Sequence, residues 1–255
     1  VNVAHNERYY EGVGDKDDYS IYAKWDYTAG PWNLMADMQI RAVDYRTHGV
    51  NNDLNDYDVV RDHLFFNPKI GVRYDLNRDS YVYGYFGRGH REPVRSDFID
   101  AATEKEPTYE TLNNLELGYG YDADAVRVKL NGYLMHYHNQ LVLTGDLGDT
   151  GKPIRENVNR SYRAGIEAEA LWRVWDRFHW GANLALSRNK IVDFDYILED
   201  DVTHFDETDI SFSPDVVAAN RFVWQPIDGL ELALITKYVG KQYLDNTSSN
   251  DKMLD

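Results

Sequence analysis

Apolar and polar residues alternate along this chain in strip after strip. Between Asp18 and Tyr27, the positions Tyr19, Ile21, Ala23, Trp25 and Tyr27 share one parity, and Asp18, Ser20, Tyr22, Lys24 and Asp26 share the other. After Thr28-Ala29-Gly30-Pro31 the pattern restarts. Trp32, Leu34, Ala36, Met38, Ile40 and Ala42 now form the apolar side, and Asn33, Asp37, Gln39 and Arg41 the polar side. Successive side chains of a strand point to opposite faces, so each strip predicts a ribbon with one greasy and one wet side. A slip of one residue would bring Asp37 and Arg41 to the greasy side, which specifies the pairing. The alternation predicts about ten strands, near 17–27, 32–46, 61–74, 80–89, 110–121, 125–141, 159–172, 178–191, 214–225 and 230–243.

The connections alternate as well. TAGP, DLNRD, DAD, VWDR and QPIDG are short and built from hairpin-turn residues. THGVNNDLNDYDVV, GHREPVRSDFIDAATEKEPTY, TGDLGDTGKPIREN and VDFDYILEDDVTHFDETD are long and polar. Short turns at one end and long loops at the other are the rule of outer-membrane barrels, and no blade-length repeat points to a propeller. Trp25, Trp32, Trp172, Trp175, Trp180 and Trp224 all fall within a few residues of a short turn. In a barrel they form one ring at the membrane–water boundary. Val126, Val128 and Leu130 alternate with Arg127, Lys129 and Asn131, and Ala164, Ile166, Ala168 and Ala170 with Arg163, Glu167 and Glu169. A lipid-facing Arg or Lys at mid-membrane costs about 2–4 kcal/mol, so the charged set is expected to face a wet or protein-filled lumen.

Composition narrows this picture. The chain has 255 residues and a net charge of -16, with 20 Tyr, 6 Trp and no Cys. A mean hydropathy of -0.61 does not exclude a membrane, because a transmembrane strand is only half apolar. Acidity argues against a nucleic-acid partner, and zero Cys removes disulfides and thiolate chemistry. The chain opens in mid-pattern with VNVAHNERYY and closes on the polar NTSSNDKMLD, so both ends read as interior to a longer protein.

Several stretches resemble the C-terminal barrel half of TonB-dependent outer-membrane receptors, closest to those of Bacteroidetes-like bacteria. They are FNPKIGVRYDLNRDSYVYGYFGRGHREPVRSDF, LNNLELGYGY, SYRAGIEAEALWRV, SFSPDVVAANRFVW and YVGKQYLDNTSS, in that order. The resemblance implies an all-β, antiparallel transmembrane barrel of about 22 strands with a plugged lumen, of which this chain carries about ten. Residues 1–16 are then the end of an outer loop, 17–243 one incomplete barrel domain and 244–255 the start of another outer loop. It implies a Gram-negative outer membrane, an N-terminal plug domain absent from this segment, and energy from the TonB complex acting on that plug. The cargo is a ferric siderophore or related metal chelate first, haem, cobalamin or an oligosaccharide next. Two other readings stay open: a passive porin-like or structural barrel, and a soluble β-rich glycan-binding module.

No catalytic constellation is visible, and no cofactor or metal site is expected. Arg88, Arg91, Glu92 and Arg95 lie where a strand meets a long outer loop, and are candidates to contact the plug or an anionic chelate. Tyr133 and Tyr137, with Tyr9 and Tyr10, can stack on a chelate or sugar, or simply fill the barrel. His136 and His138 share a strand face but lack a third metal ligand. Asp53, Asp56 and Asp58, like Glu199, Asp200 and Asp201, look calcium-capable without a defined ligand spacing, and read as solvated loops. Gly118-Tyr119-Gly120 reads as thinning of a lumen-facing strand rather than nucleotide binding.

Overall fold

The computed structural model describes residues 11–50, 56–99, 106–147, 151, 153–198 and 201–254. Its main body is one 11-stranded antiparallel sheet. The strands are β1 (Glu11–Ala29), β2 (Trp32–Val50), β3 (Asp56–Asp75), β4 (Ser80–Arg91), β5 (Glu110–Asp122), β6 (Val126–Leu147), β7 (Pro153–Trp175), β8 (Phe178–Leu198), β9 (Asp201–Asp209), β10 (Val216–Ile227) and β11 (Leu230–Val239). A short helix, α1 (Arg95–Ile99), interrupts the β4–β5 connection, and β12 (Gln242–Tyr243) pairs with β13 (Met253–Leu254) beyond the sheet. Neighbours in sequence are neighbours in the sheet from β1 to β8. The order ends at β1 and β11, which leaves two open edges among the described residues.

The alternation sets the register. Ile21 stands opposite Ile40 and Ile40 opposite Phe66; Leu34 stands opposite Val72. The apolar parity of every strand therefore merges into one continuous face, on which Ile21 is 71% exposed and Leu117 63%. On β6 this face runs from Val126 to Leu134. At about 3.3 Å per residue and a tilt of about 40°, that stretch covers about 23 Å of height, close to the apolar band of an outer-membrane barrel. Its lower border carries the tryptophans: Trp172 opposes Trp180, Trp175 stacks on Phe178 at 4.7 Å, and Trp32 meets Tyr74 at 4.6 Å.

The buried residues sit at the outer ends, on the side of the long connections. Val43, Val59 and Phe65 lie on the polar parity yet are buried, because the β4–β5 connection folds over them. Val142, Val158, Ile191, Phe194 and Ile210 form a second cluster. Beside it the 242–249 segment folds back: Asn246, 1% exposed, donates to the carbonyl of Leu143 and accepts from the Ser211 N–H, both at the outer ends of the sheet.

The outer ends are longer than the alternation predicts. β1 begins at Glu11, β3 at Asp56 and β7 at Pro153, and β6 reaches Leu147. The acidic stretch expected as a loop over 192–209 forms the end of β8 and an additional strand, β9. β9 pairs with β8 from Lys190 to Leu198, while β10 pairs with the same strand from Phe178 to Leu186. The two lie end to end along β8, so the positions around the arc remain those predicted. β11 stops at Val239 rather than 243, where the Gly240 N–H bonds to the Val216 carbonyl and the chain turns away.

Candidate functional site

The polar face of the arc collects the charged parity of all strands. Asp37, Lys69, Glu116, Lys129, Asn131, Arg163, Glu167 and Glu169 occupy it, as the register requires. Several of its tyrosines lie flat along the wall rather than standing up from it. Tyr81 covers Gly120 and Tyr83 covers Gly118, and the Tyr83 hydroxyl donates to Asn131 at 2.9 Å. Tyr133 lies across Gly165, where an added Cβ would sit 2.7 Å from its hydroxyl oxygen. Small residues beneath large rings thin the wall, which is how Gly118 and Gly120 are used. Higher on this face, Arg91 pairs with Glu110 at 3.1 Å, and Arg163 donates to Asn189 at 3.3 Å and Ser213 at 3.0 Å.

Over this wall folds the β4–β5 connection, and it is fastened on both flanks. Glu92 accepts from Lys16 at 2.6 Å and from both Nη atoms of Arg41 at 2.9 and 2.7 Å. Arg41 at the same time grips Asp18 through Nε and Nη2. The carboxylate thus reaches past β3 to the polar side of β1 and β2. Burial opposes ionisation of Glu92, but the hydrogen bonds from Arg41 and Lys16 overcome it and bring the carboxyl down to about 2. Arg95 donates to the Tyr57 hydroxyl at 2.6 Å, Phe98 stacks on Tyr45 at 6.0 Å, and Arg61 pairs with Glu106. On the opposite flank, Asp97 is buried beside Arg155 of β7 at 3.5 Å and caps the Val94 N–H. Asn157 of β7 brackets the Thr108 peptide, accepting from its N–H at 2.7 Å and donating to its carbonyl at 3.0 Å. Tyr109 closes an aromatic cluster with His63, Phe65 and His90.

The residues singled out from sequence therefore separate into three groups. Arg91, Tyr133 and Tyr137 lie on the polar wall. Glu92 and Arg95 fasten the folded-in connection. Arg88 stands apart from both: it has the parity of Val82 and Phe86, pairs across to Asn113, and projects from the apolar face. His136 and His138 also lie on that outward face, with ring centroids 4.8 Å apart. Asp56 and Asp58 are exposed on β3, while Asp53, Tyr9, Tyr10, Glu199 and Asp200 lie outside the described residues. Asp201 opens β9. Among the described residues no group of three or more His, Asp or Glu is placed to hold a metal ion. The partners Asp18, Arg41, Glu110 and Asn157 were not singled out from sequence. Parity places Arg41 on the polar face, but nothing in its spacing points to Glu92.

Solved structures share this arc. The siderophore receptor PiuA from Acinetobacter baumannii matches with a TM-score of 0.75 and 14% identity, over 92% of this chain and 35% of that one. The ferric-catecholate import receptor Fiu from E. coli K12, in its closed form, matches with a TM-score of 0.70 and 12% identity, over 91% and 35%. The copper transporter OprC matches with a TM-score of 0.69 and 15% identity, over 90% and 36%. This chain thus spans about a third of the length of the solved structures it matches. A comparison with curated proteins finds no match. The family model for the TonB dependent receptor-like β-barrel matches residues 2–253. With its antiparallel arc, its greasy outward face and nearly its whole length covered by that model, the chain belongs to the TonB-dependent receptor β-barrels of the Gram-negative outer membrane.

Proposed function

We propose that this chain forms part of the wall and outer loops of an energised importer for a scarce, large metal chelate, a ferric siderophore first. The observation that carries the reading is the polar wall with a long connection folded in over it and fastened on both flanks. A passive pore needs an open lumen, whereas a receptor needs an ordered inner surface against which a plug and a solute can rest. In this reading the plug packs on the lower wall, around Asp37, Glu116 and Glu167, and the TonB complex pulls on the plug. Tyr133, opposite Glu116, lies at the level of the plug, and Arg91 and Tyr137 line the path above it, where a guanidinium and a phenol ring suit an anionic, aromatic chelate. The relatives support a metal complex: two are described as receptors of siderophore or ferric-catecholate type and one as a copper transporter. The family is one of transporters rather than enzymes.

The test is uptake of radioiron presented as ferric siderophores by cells with and without the intact receptor gene. Receptor-dependent uptake that stops when the inner-membrane proton gradient is collapsed supports the reading. Receptor-dependent uptake that persists without the gradient supports a passive barrel instead. Substituting copper chelates, haem, cobalamin or an oligosaccharide in the same assay assigns the cargo if iron uptake is unchanged by the deletion.

A further inference from the structure

The outward face of β4–β8 is not uniform. Its rows are set by the register: Leu117, Gly132, Ile166 and Leu186 form one, and Leu115, Leu134, Ala164 and Arg188 the next one outward. Between them lies a groove of about 610 Å³ lined by Leu115, Leu117, Leu134, Ala164, Ile166 and Leu186. Gly132 makes its floor: a Cβ there would meet nothing closer than the Leu117 carbonyl oxygen at 3.8 Å, so the space above it is open. The row above the groove turns polar, running Arg88, Asn113, His136, Tyr162. His138 and Arg160 oppose each other just beyond it.

Arg160 already holds Asp193, and Arg188 holds Glu207 at 2.6 Å. Arg88, His136 and His138 have no anionic partner among the described residues. The His136 and His138 rings lie 4.8 Å apart, and a ring N–H on each is a hydrogen-bond donor available to a headgroup. The outer ends of β1–β3 carry the opposite charge on the same face, Asp17, Asp44 and Asp62. An unpaired cation and two imidazoles directly above an apolar groove match a phosphate above an acyl chain. A basic residue near a membrane surface gains about 1 kcal/mol from anionic headgroups, and the groove adds apolar burial.

We propose that this groove and its polar rim form a binding site for one acylated lipid of the outer leaflet whose headgroup carries phosphate. The site rests on the outward face meeting the outer membrane, which family membership supplies, and not on the identity of the transported solute.

The experiment uses the full-length receptor, delipidated in detergent and titrated with lipid by native mass spectrometry. The probes are monophosphorylated hexa-acyl lipid A, its dephosphorylated counterpart and phosphatidylethanolamine. The parent protein should retain the phosphorylated form at least about tenfold more tightly than the dephosphorylated one. Arg88→Gln with His136→Gln and His138→Gln should erase that preference and leave the dephosphorylated lipid unaffected. Gly132→Trp, which fills the groove, should weaken both lipid A forms. Asp44→Asn with Asp62→Asn should change neither. The single Arg88→Gln variant, at an exposed position with no anionic partner among the described residues, should reduce the preference severalfold and stands in for the triple variant if that one misfolds. Equal binding of the two lipid A forms by the parent, or an intact preference after Arg88→Gln and in the triple variant, overturns the proposal.

Discussion

Glu92→Gln in the full-length receptor isolates the fastening of the β4–β5 connection. The substitution keeps the side chain's size and removes the charge that accepts three hydrogen bonds, from Lys16 and from the two Nη atoms of Arg41. A bond to a charged group contributes about 1.5–3 kcal/mol when buried, and an exposed ion pair about 0–1. The Glu92 side chain is 13% exposed and that of Lys16 42%, so about 1 kcal/mol per bond is the fitting value between those limits. The loss is then about 3 kcal/mol, or about a hundredfold in the ratio of docked to released connection. Amide hydrogen exchange reads that ratio directly, since opening sets the rate where reclosing is fast. Residues 92–99 and 106–109 should exchange about a hundredfold faster in the variant, with β5 and β6 unchanged. Arg41→Met should give a similar effect and the double variant little more, because one network is being broken twice. The pH dependence has a fixed sign. The carboxyl is depressed to about 2 from an ordinary 4.5, so the fastening is complete above about 4.5 and is lost as pH falls toward 2. A threefold change or less in exchange of the connection, or loss of protection on raising rather than lowering pH, refutes the reasoning.

Other outcomes follow from the two faces. Gly118→Ala forces the Tyr83 ring off the wall and away from Asn131, and should cost about 1–3 kcal/mol by chemical denaturation in detergent; adding Tyr83→Ser should recover most of it. Leu117→Arg puts a charge on the outward face at mid-band and should cost about 2–4 kcal/mol in reversible unfolding from lipid vesicles, whereas Glu116→Arg, one residue along on the polar face, should cost clearly less. Asn246→Ala leaves the Leu143 carbonyl and the Ser211 N–H without their partner and should cost about 2 kcal/mol or more. Limited proteolysis should then cut within 242–254 while the sheet stays intact.

Within the membrane band the fold was legible, because lipid on one side and water or protein on the other leave each position a single sign. That constraint is why Leu34, Ile40, Val128 and Ile166 could be assigned to a face from parity alone, and why the tight turns fell where expected. Beyond the band the constraint lapses. A strand that has left the bilayer can carry charge on either side, so the acidic run after Ile191 read as a loop although β8 and β9 continue through it. Val43, Tyr45, Val59 and Phe65 sit on the polar parity and blur the alternation, because what buries them is a connection arriving from more than thirty positions later in the chain. The fastening itself could not be read, since Arg41 and Glu92 lie on elements separated by β3 and no local spacing relates them. Arg88 is the instructive contrast. Its proximity to Arg91 and Arg95 grouped it with the candidate lumen residues, yet parity with Val82 and Phe86 already placed it on the other face. Where one solvent boundary governs a strand, parity outranks neighbourhood. Where the strand runs free of the bilayer, long-range packing decides, and only the folded chain shows with which partner.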